Sequence, residues 1–284
     1  MIPQSFDYAA PADLKDALAR IAGGGKPLAG GMSLIPMMKL RLAAPDLLVD
    51  IGRIPELNYI REDGRKLHIG ATTTHYELES SPLIRSRCPL LAETASHIGD
   101  VQVRNMGTIG GSAAHADPAA DYPAALLALE AEFLLASARG ERIISAEEFF
   151  VDTFTTVLRT DEIIRELIVP AEEPAMGTSY QKMLQPASGF AIVGVAARLR
   201  KSGGKIALAR IGVTGLGPKA FRARNVEKLL EGTAATSPDI DRAASVVAEG
   251  IEASSDIHAS AAYRSHLARI YAGRAIAVAL SRAS

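Results

Sequence analysis

Two Gly-Gly segments carry the strongest chemical signal in this 284-residue sequence: Ala29-Gly30-Gly31-Met32-Ser33 and Thr108-Ile109-Gly110-Gly111-Ser112. Each is bounded by apolar residues and ends in a hydroxyl side chain. Paired glycines let the backbone take positive φ and bring its N–H groups close to a ligand. Successive N–H groups in such a turn form a concave anion cradle. Ser33, Thr108 and Ser112 can add hydroxyl donors. Two such segments suit two adjacent phosphates of a dinucleotide, but Gly-Gly pairs are also ordinary turns, and spacing alone leaves both readings open. Asp121 follows the second segment and stands just before an expected helix. An acid there can bind a ribose hydroxyl, as in other dinucleotide sites, or cap the helix; the two roles are compatible.

Other chemistries find less support. Gly212-x-x-Gly215-x-Gly217 has the Rossmann spacings reversed and is followed by Pro218, so it reads as the exit of a hairpin. No G-x-x-x-x-G-K-[ST] run is present. The single cysteine, Cys88, cannot form an internal disulfide, a thiolate zinc site or an iron–sulfur cluster. It reads as a small buried residue. His115-x-Asp117 lacks a second ligand pair nearby, and local loop hydrogen bonding is the better reading. No Ser-His-Asp arrangement stands out, so no catalytic side chain is assigned.

The elements that must position these residues are legible in the pattern. Leu14, Leu18 and Ile21 recur at helical spacing across 11–22, and Gly23 to Gly25 end the helix. Residues 46–51 read as a buried strand and 59–71 as a hairpin turning at Asp63-Gly64. Thr74-x-x-Glu77 is a capping-box pattern, and 89–98 reads as a helix. The stretch after Val101 reads as polar, Gly-rich loop until a helix near Pro123. Residues 132–136 and 142–145 read as paired strands, and 162–169 as a strand ended by Pro170. Beyond a turn-rich stretch at 171–177, residues 190–216 read as a long hairpin around Ser202-Gly203-Gly204. Helices close the chain, the last around 261–282. The plan is α+β. The expected domains are 1–176 and 177–284.

Thirty-one basic and 32 acidic side chains leave a formal net charge of -1. That offers no basic field for nucleic acid. No apolar run is long enough for a transmembrane helix, and the opening residues carry no basic-then-apolar secretory pattern. A cytoplasmic location is expected.

AGGMSLIPMMKLRL followed by LLVDI resembles the first FAD loop of the molybdenum-hydroxylase flavoprotein subunits. VRNMGTIGGSAAHADPAADYPAALLAL resembles their second loop. The likeness extends through EIIRELIVP and YQKMLQPASGFAIVGVAARL, and covers almost the whole chain. It is greatest toward the medium, FAD-binding subunits of aerobic carbon monoxide dehydrogenases; the FAD domain of xanthine dehydrogenase is a more distant relative. Met32 stands where many relatives have His or Gln, and Ser112 where some have Asn.

The resemblance implies an FAD domain of two α+β subdomains, about 1–56 and 57–176, of the vanillyl-alcohol oxidase type. A smaller C-terminal α+β domain of antiparallel sheet and helices follows. It implies that Ala29, Gly30, Gly31, Met32 and Ser33 wrap the FAD diphosphate with backbone N–H groups, with Leu34 and Ile35 alongside. Thr108, Ile109, Gly110, Gly111 and Ser112 would hold the other side of the diphosphate and the ribityl region. Asp121 would take a hydroxyl-rich part of the cofactor, and Ile98 and Ile164 would make apolar contacts. Lys182 would reach the flavin side, with Tyr180 nearby. It further implies an electron-transfer subunit of an oxidoreductase complex. Its partners would be a large subunit with a molybdenum cofactor and a small subunit with two-iron two-sulfur clusters. NAD, quinone or oxygen would be the final acceptor. The alternatives are a stand-alone flavin oxidase with its own substrate, and a non-enzymatic module in which the glycines are only turns.

Overall fold

The computed structural model describes residues 2–173 and 175–283. The chain opens with a small parallel sheet of Asp7–Ala9, Leu47–Asp50 and Lys26–Leu28, with Leu47–Asp50 in the middle. Helix Leu14–Ala22 packs on it through Ala17, Leu18 and Ile21, against Val49 and Ile51. Asp13 caps that helix by accepting from the Asp16 N–H, as an Asp at this position does.

A second, antiparallel sheet has the order Ile60–Asp63, Lys66–Gly70, Ile163–Pro170, Glu132–Ser137, Gly140–Ser145. Ile163–Pro170 is its central strand and is almost entirely buried, consistent with its run of apolar residues. Helices Pro89–Ser96 and Tyr122–Ala128 contribute Leu90, Leu91, Leu126 and Leu127 to the core beneath this sheet. The Thr74 box is complete: Thr74 Oγ1 accepts from Glu77 N, and Glu77 accepts in turn from Thr74 N at 2.7 Å. Cys88 lies in the same core, and burial pushes its thiol up to about 12.

The third sheet comprises Met176–Leu184, Ala191–Ser202, Lys205–Thr214 and Phe221–Arg222 in sequential antiparallel order. Gly203 and Gly204, both at positive φ, make the two-residue turn of its long hairpin. One face carries Val193, Val195, Leu199 and Ile211 into a core with helices Ser237–Ser245 and Ala261–Arg282. On the other face, where Gly212 pairs with Ala196, the sheet sits against helix Tyr122–Ala128. Thr214 Oγ1 lies 2.8 Å from both Pro118 O and Ala120 O, and its one proton goes to one of them at a time. Among the described residues, no helix is long and apolar enough to cross a membrane.

Two segments differ from the sequence reading. Val101–Met106 is a short helix capped by Asp100, and the second Gly-Gly pair lies in the first turn of helix Ile109–His115 rather than in a loop. Thr108 makes that possible by accepting from the Gly111 N–H.

The seat of the third sheet on the central helix is testable. A Cβ built on Gly212 would lie 1.9 Å from the Ala124 carbonyl oxygen, a backbone atom that cannot turn aside. Gly212→Ala should therefore cost about 1–3 kcal/mol by overpacking, read as a lower urea midpoint; an unchanged midpoint would show a looser contact.

Candidate functional site

The first Gly-Gly segment leaves the small parallel sheet at Leu28 and enters the short helix Leu34–Lys39. Gly31 is the sole residue of the two glycine pairs at positive φ, 72°. Ile35 folds back over it, its Cδ1 only 2.6 Å from where a Gly31 Cβ would stand. From Gly30 to Leu34, five consecutive backbone N–H groups donate to no protein acceptor among the described residues. Ser33 makes no side-chain cap bond. Backbone N–H groups are almost always paired with something, so this run of donors is open to water or to a ligand that accepts several of them at once. Met32 and Ile35 are partly exposed and Leu34 is half-buried, giving the donors an apolar border.

The second segment is built differently from the expected cradle. Ile109 N donates to Thr73 O, Gly110 N to Ala71 O, and Ser112 N to Thr108 O, all within 3.0 Å. Gly111 N donates to Thr108 Oγ1 at 3.1 Å. The backbone donors of this segment are thus consumed inside the protein, Thr108 and Gly110 are buried, and what it presents is the half-buried Ser112 hydroxyl and bare Gly111. Gly110 is required for close approach, since its Cβ would lie 2.7 Å from the Ala71 oxygen. Gly111 is exposed, and its Cβ would meet Thr108 Oγ1 alone.

The segments meet directly. A Cβ on Gly30 would stand 1.9 Å from Met106 O and 2.9 Å from Gly107 Cα, so glycine is what lets the first loop lie against the entry to the second. Beneath this junction is His75, which the sequence reading passed over although it directly follows the capping Thr74. Its backbone N–H donates to Gly107 O at 2.9 Å, and its ring packs 5.2 Å from that of Tyr122. Burial, aided by the nearby Arg104 guanidinium, holds His75 down at about 4, so it is neutral. Arg104 itself bridges Glu79 and the Ile98 carbonyl.

Asp121 and Lys182 are brought together in the interior. Lys182 Nζ lies 3.0 Å from both carboxylate oxygens, and Tyr180 donates to Oδ1 at 2.5 Å. Asp121 does not cap the helix it precedes: its backbone is helical and its side chain makes no cap bond. Burial raises its pKa to about 6, with Lys182 and the Tyr180 hydroxyl pulling the other way. Ile98 is half-buried beside the main core, whereas Ile164 is 3% exposed and lies inside it on Ile163–Pro170. His115 packs at a tilt on Phe154, ring centres 5.0 Å apart, and Asp117 accepts from Ala119 N. Among the described residues, no group of three or more His, Cys, Asp or Glu could hold a metal. Cavities of about 370 Å³ beside Glu130 and about 520 Å³ between Ser237–Ser245 and Ala261–Arg282 are lined by neither loop. Free donors, not enclosed volume, mark the first loop.

Comparison with known proteins gives this geometry its context. Residues 4–172 match the FAD binding domain in molybdopterin dehydrogenase, and 178–279 match the CO dehydrogenase flavoprotein C-terminal domain. The carbon monoxide dehydrogenase medium chain of Hydrogenophaga pseudoflava is 41% identical over 99% of each chain. The glyceraldehyde dehydrogenase medium chain of Sulfolobus acidocaldarius is 38% identical over 95% of this chain and 96% of that one. A solved structure of carbon monoxide dehydrogenase from Hydrogenophaga pseudoflava superposes with a TM-score of 0.98 at 42% identity, covering all of both chains. The chain belongs to the family of FAD-binding medium subunits of molybdenum hydroxylases. Its cofactor is FAD. The unpaired amides of residues 30–34 fit that cofactor, since a pyrophosphate accepts from backbone N–H groups and carries the charge that rewards them.

His75 gives the junction a pH dependence. An unfolded histidine takes its proton near 6.5 and the folded one only near 4. Between those values the unfolded state binds more protons, so stability falls with acidification. The contribution is complete above pH 6.5 and is lost as the pH falls through about 4, amounting to about 3 kcal/mol. Urea unfolding between pH 7 and 4 should show that loss, and His75→Gln should flatten that part of the profile.

Proposed function

We propose that this chain takes electrons from iron–sulfur clusters of a small partner subunit and passes them to a final acceptor, the substrate being oxidised on a large partner that carries molybdenum. FAD supplies the chemistry when bound: it accepts electrons singly and delivers them in pairs. The chain supplies binding, orientation and electrostatics. On this reading residues 1–176 form the FAD-binding domain and 177–284 the C-terminal domain. NAD, quinone and oxygen are the candidate acceptors.

Each part of the site has a role in that reading. The N–H groups of Gly30, Gly31, Met32, Ser33 and Leu34 hold the pyrophosphate, with Ala29 fixing their approach and Ile35 shielding them from water. Thr108 and Ser112 contribute hydroxyls, while Ile109, Gly110 and Gly111 form a close, bare wall. Ile98, Asp121, Ile164 and Lys182 belong to the body that supports the far side of the site. No side chain is needed as general acid or base. The substrate is set by a partner, which accounts for medium chains named for carbon monoxide and for glyceraldehyde being similarly close, at 41% and 38% identity. The single observation that carries the reading is the run of unpaired amides at 30–34, joined through Gly30 to the second loop.

Reconstitution tests it. The purified chain should turn yellow with FAD and keep the flavin absorption bands through gel filtration, and should oxidise no alcohol or purine by itself. Gly30→Ala should part the loops. Loss of even one charge-assisted hydrogen bond costs about 1.5–3 kcal/mol, so FAD affinity should fall roughly tenfold to a hundredfold. Titration calorimetry measures this, and a wild-type chain that remains colourless and ignores FAD would remove the reading.

A further inference from the structure

We infer that Lys182 is a positioning residue rather than a donor to the cofactor: its ammonium ties the turn at 185–190 and the end of helix Pro89–Ser96 to the buried Asp121 carboxylate. An ammonium has three protons. Here the acceptors are the Asp121 carboxylate at 3.0 Å, His97 O at 2.7 Å and Gly189 O at 2.7 Å. The Lys182 side chain is 2% exposed and that of Asp121 4%. No proton is left to reach outward, and the three acceptors come from three separate stretches of chain.

Two of these stretches adjoin buried helices, Pro89–Ser96 and Tyr122–Ala128, and the turn at 185–190 is the one Lys182 ties to them. The turn at 185–190 is closed by its own bonds, Gln185 N to Phe190 O and Gly189 N to Gln185 O, both 2.8 Å. It touches the rest of the molecule through Gly189, against Gly99, and through Ala191 N, which donates to Ala119 O. The helix Pro89–Ser96 ends in carbonyls that collect two cations, Lys182 on His97 O and Arg104 on Ile98 O, the arrangement a helix C-terminus favours. From there the chain runs through Val101–Met106, which buries none of its residues, straight to Met106 and Gly107 at the loop junction. The helix Val101–Met106 is fastened through Arg104, which reaches Glu79 and the Ile98 and Gly99 carbonyls, while Lys182 holds the segment leading into it at His97. Tyr180 supports the clamp from below. Its hydroxyl donates to Asp121, and its ring meets the His97 ring at 5.8 Å.

Hydrogen exchange read by mass spectrometry tests this on the full-length chain without FAD. Lys182→Met and Asp121→Asn should each speed amide exchange in 97–107 and in 185–190 by roughly tenfold or more. The double variant should be no faster than the worse single one, because both remove the same tie. Should either variant fail to fold, Tyr180→Phe removes one hydrogen bond to Asp121 without stranding a charge, and should loosen the same two segments to a smaller degree. Unchanged exchange in both segments, with a flavin spectrum that shifts in the reconstituted Lys182→Met chain, would overturn the inference and make Lys182 a direct contact. The inference rests on the FAD reading solely for that second readout; a wild-type chain that binds no FAD would remove that reading and leave the exchange result standing.

Discussion

From Gly30 to Leu34 five backbone N–H groups point to no acceptor in the protein, and a folded chain sustains that only where a ligand or water accepts. The surrounding structure is arranged so that this run of donors cannot collapse onto a neighbour. Gly31 turns the backbone out of line at positive φ, and Ile35 locks the turn from above. The second loop, by contrast, spends its own N–H groups inside the protein, on Ala71, Thr73 and Thr108. One loop is left hungry and the other saturated, and they touch at Gly30 and Met106.

The rest of the molecule holds that junction still. The first loop is anchored in a parallel sheet that shares a core with Ala136 and Ile163 of the antiparallel sheet. The second loop is bonded to the end of strand Lys66–Gly70 through Ala71 and Thr73, with neutral His75 filling the space below Gly107. Helix Tyr122–Ala128 lies between the main core and the C-terminal sheet, in contact so close that Gly212 admits no Cβ. The Asp121–Lys182 pair at its start joins both halves of the chain. Electrostatics here serves placement: the buried Asp121–Lys182 ions are matched to each other, and the unpaired run at 30–34 consists of neutral backbone donors.

Much of this was legible in sequence because it rests on local rules. Leu14, Leu18 and Ile21 gave the first helix, Thr74 and Glu77 its neighbour's cap, and Ser202-Gly203-Gly204 the long hairpin. The two Gly-Gly segments and Asp121 were recognisable as special, and the family resemblance supplied the cofactor. Hidden were features that depend on which distant residue stands opposite. The second Gly-Gly pair resembles the first in sequence, yet the Gly110 amide and that of Ile109 before it are filled by Ala71 and Thr73, which nothing near residue 108 announces, while Gly111 is filled by Thr108. Asp121 read as an acid that binds a ribose hydroxyl, caps its helix, or both, but Lys182 and Tyr180 claim its carboxylate from about sixty residues away. His75 and Met106 gave no signal by type or spacing; their importance comes from lying against Gly107 and Gly30.

The central claim is that the first loop's amides grip a pyrophosphate. Amide chemical shifts of the labelled chain, followed while ADP, FAD or riboflavin is added, test it most directly. The account expects the Gly30, Gly31, Met32, Ser33 and Leu34 amides to move strongly with FAD and ADP and hardly at all with riboflavin, which has no phosphate. If FAD binds while those five amides stay in place, the account is wrong.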